Sequence, residues 1–200
     1  MTPEPLEPLL AEIRACRACA AEFAATRTAH EPRPVVRASS TARLLVVGQA
    51  PGMRVHRSGL PFDDASGDRL RDWMGVDRDT FYDASRVMIA PMAFCFPGYD
   101  AKGGDRPPPR RCASLWRARL LAAAPQIEFT LYVGAHAQRW ARPDRARGGM
   151  TETVRRWRDW LPEALPTPHP SWRNTGWLRR NPWFDAEVVP ALRAEVARRL

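Results

Sequence analysis

Long apolar runs are missing from this 200-residue sequence. No stretch approaches the roughly 18 consecutive apolar residues that a membrane-spanning helix needs. The first ten residues are proline-rich and acidic, whereas a secretory signal would be basic and apolar. The sequence also shows no internal repeat and no long low-complexity segment. We therefore expect a soluble cytoplasmic protein with no membrane partner.

Lysine is nearly absent, because Lys102 is the only one although Lys and Arg together number 31 against 22 Asp and Glu. Guanidinium groups therefore carry almost all of the net charge of +9, which favours a polyanionic partner such as nucleic acid. An arginine-rich genome that encodes Arg wherever a cation is needed would give the same composition. Tryptophans set among arginines, as at Trp172-Arg173, are suited to stacking on exposed bases beside phosphates.

The remaining composition is that of an ordinary globular domain, with 44% hydrophobic and 26% charged residues. Two hundred residues are enough for one compact domain and too few for a large multidomain protein. We expect a single domain over residues 1–200. Residues 1–40 would form an amino-terminal helix and a linker.

Apolar strands alternate with helical patterns along the chain. Strands are predicted at residues 42–48, 86–94 and 129–134, and the segment 164–166 leads into a last loop at 167–171. Helical patterns cover residues 3–24, 135–141, 154–160 and 182–200, and also surround Leu70 to Met74 and Leu115 to Leu121. The alternation predicts an α/β fold, a single-domain three-layer α/β/α sandwich with a short, mainly parallel four-stranded central sheet. Ligands would bind beyond the carboxyl ends of its strands, near Gln49, Cys95 and His169.

Four cysteines occur as Cys16-x2-Cys19 and as Cys95-x16-Cys112. Disulfides are rare in cytosolic proteins, so a thiolate site is the natural interpretation. Four soft ligands suit a [4Fe-4S] cluster or a structural zinc ion, and independent buried cysteines are a third possibility. Either metal group would be structural. It would hold the amino-terminal helix to the long loop after the second strand.

Five motifs follow one another along the chain: Cys16-x2-Cys19, Gly48-Gln-Ala-Pro-Gly52, Gly59-Leu-Pro-Phe62, the loop from Cys95 to Cys112, and His169-Pro-Ser171. This order, from residue 16 to residue 175, resembles that of the uracil-DNA glycosylase superfamily, and most closely its iron-sulfur family 4. The stretch Asp63-Asp-Ala-Ser-Gly67 is more similar to family 5. The resemblance implies a structural [4Fe-4S] cluster on the four cysteines, with zinc as the alternative.

The resemblance also implies roles for residues around the base. Phe62 would stack on a flipped uracil in a pocket formed with Gly48, Ala50, Pro51 and Pro91. His169 would donate a hydrogen bond to the uracil oxygen as negative charge develops there. The family's acid is replaced by Gln49, which can position water but cannot take its proton, so Asp64 and Asp63 are further catalytic candidates. His56 lies on the same loop, and each of these three residues could instead be a surface loop charge or the cap of the next helix.

A last group of residues would contact the DNA itself. Pro170 and Ser171 would shape a loop that grips a phosphate, while Trp172 and Arg173 occupy the place of the family's wedge into the gap left by the flipped nucleotide. For Trp177, Trp183 and Phe184 we expect packing of the last helix on the sheet.

The predicted function is that of a monofunctional DNA repair glycosylase. It would hydrolyse the N-glycosidic bond of uracil and leave an abasic site in its partner, DNA that contains uracil or another deaminated base. Pro91 replaces the family's pyrimidine-reading asparagine, so hypoxanthine and xanthine are alternative substrates. A non-catalytic uracil- or abasic-site-binding protein is a second alternative, and an unrelated iron-sulfur or zinc redox module is a third. We expect a monomer in the cytoplasm, associated with the nucleoid.

Overall fold

The computed structural model describes residues 4–200, and its centre is a sheet of four parallel strands in the order β2-β1-β3-β4. The strands are β1 (Leu44–Val47), β2 (Val87–Ile89), β3 (Phe129–Val133) and β4 (Ala164–Thr167). The helices are α1 (Leu6–Ala15), α2 (Ala20–Ala24), α3 (Met53–Ser58), α4 (Ala65–Met74), α5 (Arg78–Tyr82), α6 (Arg110–Ala122), α7 (Ala135–Ala141), α8 (Gly149–Arg155), α9 (Thr175–Arg180) and α10 (Val189–Ala197). The predicted α/β fold class is confirmed.

Helices cover both faces of the sheet because successive side chains of a strand point to opposite sides. In β1, Leu44 and Val46 pack into one apolar cluster, which includes residues of α4, α8 and α10. Leu45 and Val47 pack into a second cluster with residues of α1, α6 and α7. All four side chains are buried, as expected for a parallel strand between two helical layers.

Two prolines lie at positions in or next to the sheet where no N–H donor is needed. The predicted second strand, residues 86–94, is wrong in its extent, because β2 stops at Ile89 and Pro91, which has no N–H to donate, follows outside it. The N–H of Met92 still donates to the carbonyl of Gly48 at 2.9 Å, so this segment stays beside β1. Pro166 lies within β4, where a proline is tolerated because β4 is an edge strand.

Three helical predictions need correction, because each of these helices is interrupted. The helix predicted over residues 3–24 ends at Ala15, and α2 begins only at Ala20, so Cys16 and Cys19 lie in the turn between them. Its predicted first residue lies outside the described residues. The helix predicted over 154–160 is divided into α8 and a 3-10 turn at Trp157–Trp160, which allows both Trp157 and Trp160 to be buried. The helix predicted over 182–200 forms as a π-helical turn at Phe184–Val188 followed by α10.

The segment between α2 and β1 lies along the edge of the sheet next to β2. Arg37 exchanges two backbone hydrogen bonds with Ile89, and the N–H of Val35 donates to the carbonyl of Phe94 at 2.7 Å. These contacts cover an edge strand that would otherwise leave its hydrogen-bonding groups unpaired. Among residues 4–200, no helix is long and apolar enough to cross a membrane.

Candidate functional site

A cleft of about 650 Å³ opens beyond the carboxyl ends of β1, β2 and β4. This is where a parallel α/β sheet places its ligands. The predicted site residues that line the cleft are Gly48, Gln49, Ala50, Pro51, Phe62, Asp64, Pro91, His169, Ser171, Trp172 and Arg173. Asp63 and Pro170 are not among the lining residues.

The loop after β1 is held in place through its backbone. The carbonyls of Gly48 and Gln49 accept hydrogen bonds from the N–H groups of Met92 and Ala93, at 2.9 and 3.1 Å. Gln49 lines the cleft, and within residues 4–200 its side-chain amide forms no hydrogen bond. That amide is therefore available to a base or to a water molecule in the cleft.

Phe62 lines the cleft, and its ring packs against Gly48. A Cβ added to Gly48 would lie 3.0 Å from the Cζ of Phe62, so glycine allows this close approach. The backbone of Phe62 has a φ of 55°, a left-handed conformation that costs a non-glycine residue about 1–2 kcal/mol. The hydroxyl of Tyr82 donates to the Phe62 carbonyl at 3.0 Å, and a Cβ at Gly67 would lie 1.8 Å from that same oxygen. The ring is thus fixed by its surroundings, as a stacking platform must be.

His169 lies in the loop 168–171 that follows β4, called the histidine loop below. The N–H of Ser171 donates to Nδ1 of His169 at 3.2 Å, so Nδ1 carries no proton and the neutral ring has its proton on Nε2. Burial lowers the pKa of His169, and Arg173 acts in the same direction, whereas Asp64 opposes the shift. The imidazole is therefore neutral at pH 7, with Nε2 as a hydrogen-bond donor.

Backbone contacts hold the histidine loop independently of the imidazole. The amide of Asn174 donates to the carbonyl of His169 at 2.7 Å. Arg69, on α4, donates from Nη1 to the carbonyls of Pro170 and Ser171, each at 3.2 Å. These three hydrogen bonds restrict the loop's position.

The two neighbouring aspartates have different environments. Asp64 caps α4, because its Oδ1 accepts a hydrogen bond from the N–H of Gly67 at 3.0 Å, and it also lines the cleft. Asp63 accepts a hydrogen bond from Arg78 at 3.2 Å, and this contact lowers the pKa of its carboxyl group. Asp64 therefore both caps a helix and lines the cleft, whereas Asp63 forms an ion pair with Arg78. His56 also lies outside the cleft lining, and its ring meets those of His30 and Phe96.

A second carboxylate in the cleft was missed by the sequence analysis. Asp105 belongs to the glycine- and proline-rich segment after β2 and lines the cleft. Partial desolvation raises the pKa of Asp105, and the negative charges of Asp64 and Asp100 raise it further, whereas Arg173 lowers it. The residue is nevertheless exposed to solvent. The sequence could have indicated it, because Asp105 directly follows Gly103-Gly104 in a long loop after a strand, where binding residues are often found. Arg54 and Asn174 were missed as cleft residues, and Arg69 was missed as a support of the histidine loop.

The mouth of the cleft presents an aromatic side chain to solvent. Trp172 is 76% exposed, and the guanidinium of Arg173 lies 5.8 Å from the centre of its ring. By contrast, Trp177 and Phe184 are buried in the core and Trp183 packs against it, which confirms the expectation of packing for these three. An exposed indole at a cleft mouth is costly in water and available for stacking.

All four cysteines line a second, smaller pocket, which we call the cysteine pocket. It lies between the turn after α1, the segment after β2 and the start of α6. Each cysteine is a free thiol, and burial raises the pKa of Cys95 to about 12 and that of Cys112 to about 11. Within residues 4–200, no three Cys, His, Asp or Glu side chains are placed to hold a single metal ion.

A comparison with protein families matches most of the chain. The family model described as the uracil DNA glycosylase superfamily matches residues 35–193, which include all four strands and every residue of the cleft. Cys16 and Cys19 lie outside the matched range, so the match does not bear on the cysteine pocket. A match over most of the sequence shows that this chain belongs to the uracil DNA glycosylase superfamily.

Proposed function

We propose that this protein is a monofunctional uracil-DNA glycosylase. The superfamily supports a glycosylase that acts in DNA repair. The observation that carries the proposal is the neutral His169, which lines the same cleft as the fixed side chain of Phe62 and has its proton on Nε2. Together these groups can hold a flipped base by stacking and respond to charge that develops on its oxygen.

The reaction needs a donor because the departing base becomes anionic as the N-glycosidic bond breaks. A hydrogen bond from Nε2 of His169 strengthens only as that charge develops, so it stabilises the transition state more than the bound substrate. Burial of His169 raises its contribution, because water competes less for the hydrogen bond there. His169 therefore acts as the electrophilic catalyst.

The sugar becomes cationic in the same step and is attacked by water. Gln49 would position that water through its amide but cannot accept its proton. Asp64 has one oxygen on the cap of α4, so its other oxygen can face the cationic sugar. Asp63 is the weaker candidate because it is paired with Arg78.

Base discrimination is proposed to depend on Gln49. Pro91 lines the cleft without a side-chain amide, and its carbonyl accepts a hydrogen bond from Arg117, which does not line the cleft. The amide of Asn174, which also lines the cleft, is bound to the carbonyl of His169. Gln49 therefore supplies the side-chain amide that can contact the base. A site that recognises a base only by its ring N–H and the neighbouring carbonyl could also accept hypoxanthine or xanthine. A glycosylase with this wider substrate range is therefore the second candidate.

The first experiment measures excision directly. Oligonucleotides that contain uracil, hypoxanthine or xanthine are incubated with excess protein, and alkali-labile sites are counted on a gel. We expect cleavage at uracil and the release of free base. Tight binding of the uracil oligonucleotide without cleavage would favour a damage-binding protein, while neither binding nor cleavage would refute the proposal.

We further propose a structural [4Fe-4S] cluster in the cysteine pocket. The support is geometric, because cysteines from three separate segments converge there although no three are arranged around one ion. The sixteen residues between Cys95 and Cys112 favour a cluster over a single zinc ion, which more often binds two close Cys-x2-Cys pairs. The N–H of Phe94 donates to Sγ of Cys112 at 3.4 Å, a contact that supports a thiolate ligand.

Protein purified without oxygen tests the cluster. We expect brown protein with broad near-visible absorption and about four irons per chain. One zinc and no iron would contradict it. The same preparation, examined by light scattering, tests the expectation of a monomer.

A further inference from the structure

Arg117 is a buried cation that the proposed reaction does not use. It lies on α6 and is 2% exposed. Its Nη2 donates to the carbonyls of Ala90, at 3.0 Å, and of Pro91, while Nε and Nη1 are buried without a hydrogen-bond partner. The ring of Trp140 lies 5.6 Å from the guanidinium carbon.

No carboxylate compensates this charge within the part of the chain that the structure describes, since every ion pair found there involves other arginines. A buried guanidinium without an anion is costly, and carbonyl oxygens repay only part of its lost hydration. Burial lowers the pKa of Arg117 to about 10, while the nearby Cys112 and Tyr132 act in the opposite direction. Cys112 lines the cysteine pocket.

We propose that Arg117 is the buried counter-cation of the anionic, thiolate-bound cluster in the cysteine pocket. The inference rests on the proposed [4Fe-4S] cluster, whose four thiolates outweigh the positive charge of the iron-sulfur core. Bringing that negative charge next to Arg117 removes the imbalance that the protein alone carries. Because Nη2 also binds the backbone carbonyls of Ala90 and Pro91, the same side chain links the helix that carries Cys112 to the wall of the cleft.

Two substitutions separate the charge of Arg117 from its hydrogen bonds. Arg117→Gln keeps an N–H donor for the carbonyls but removes the charge, whereas Arg117→Lys keeps the charge. Arg110→Gln is the matched control, because Arg110 is exposed on the first turn of the same helix and water screens its charge. The readouts are the rate of iron loss to a chelator, followed by near-visible absorbance, and the midpoint reduction potential of the cluster.

We expect Arg117→Gln to lose iron about 10- to 100-fold faster than the parent, a range seen when supporting contacts of metal ligands are removed. Its reduction potential should become more negative, because the added electron is no longer stabilised by a nearby cation. Arg117→Lys should retain most of the parent behaviour, and Arg110→Gln all of it. A Gln variant that fails to fold, beside a Lys variant that folds and retains iron, also supports the need for charge.

Parent-like iron retention and potential in Arg117→Gln would overturn the inference while leaving the cluster intact. Equal impairment of the Gln and Lys variants, including loss of folding in both, would also overturn it, since shape rather than charge would then matter. Absence of iron from the parent protein would overturn the proposed cluster and the inference together. The parent's iron content therefore distinguishes the two failures.

Discussion

Replacing His169 with alanine removes one donor from the cleft and little else. The loop's other contacts use backbone carbonyls, which the substitution leaves in place: Asn174 binds the carbonyl of residue 169, and Arg69 binds those of Pro170 and Ser171. The hydrogen bond from the N–H of Ser171 to Nδ1 is lost, but that N–H can turn to water in the space left by the ring. We therefore expect the loop to stay in position and the effect to report on Nε2.

The expected magnitude is that of one preorganised donor to a developing oxyanion. Such a donor contributes about 10²- to 10³-fold in rate, or about 2.7–4 kcal/mol. Single-turnover excision of uracil by His169→Ala should fall by that factor. Affinity for uracil-containing DNA, measured by fluorescence anisotropy, should change little, because the ground-state base carries no negative charge.

His136→Ala is the matched control. His136 lies on α7, outside the cleft lining, and burial lowers its pKa as it does that of His169. The control variant should excise uracil at the parent rate. Excision by His169→Ala at near the parent rate would refute the mechanism, because the histidine loop would then be merely structural.

The pH dependence gives an independent check with a definite sign. Burial lowers the pKa of His169 below the ordinary histidine value of about 6.5, so protonation requires a lower pH than usual. Protonation would place a hydrogen on Nδ1, facing the N–H of Ser171. The contribution of His169 to the rate should hold from pH 8 to about 6.5 and be lost only below it. A loss that begins above pH 7 would contradict this assignment.

Further predictions concern the support of the site and the contact with DNA. Gly67→Ala should destabilise the fold by about 1–3 kcal/mol in thermal unfolding, because the new Cβ would meet the carbonyl of Phe62. The control Gly176→Ala, at an exposed position, should not change stability, and equal stability of the two variants would contradict the close packing of Gly67 on Phe62. Arg69→Met should lower single-turnover excision by about tenfold with partial rescue by Arg69→Lys, and parent activity in the Met variant would deny it a positioning role. Gln49→Ala should slow excision less than the histidine substitution if Asp64 helps to place the water, and a larger loss would make the amide the main group. DNA binding should weaken with a logarithmic salt slope of about 0.9 per phosphate contact, whereas a flat profile would make the charge of +9 incidental.

The parallel sheet and the motifs at its carboxyl edge could be predicted from local patterns in the sequence. Continuous apolar runs such as that from Leu44 to Val47 can be buried on both faces only in a parallel sheet covered by helices. Glycine and proline after such runs marked where the loops begin, at Gly48 and at the segment before His169. Local patterns were sufficient here because side-chain period and turn residues are properties of a few neighbouring positions.

Which polar groups meet in the cleft depends on the tertiary structure and could not be predicted. Asp63 and Asp64 are adjacent and chemically identical, yet one is paired with Arg78 and the other lines the cleft, because the backbone direction at the start of α4 separates their side chains. The neutral state of His169 and the entry of Asp105 into the cleft likewise depend on contacts between segments distant in sequence. Burial, hydrogen-bond partners and charge at a site are sums over such contacts, so no local pattern contains them.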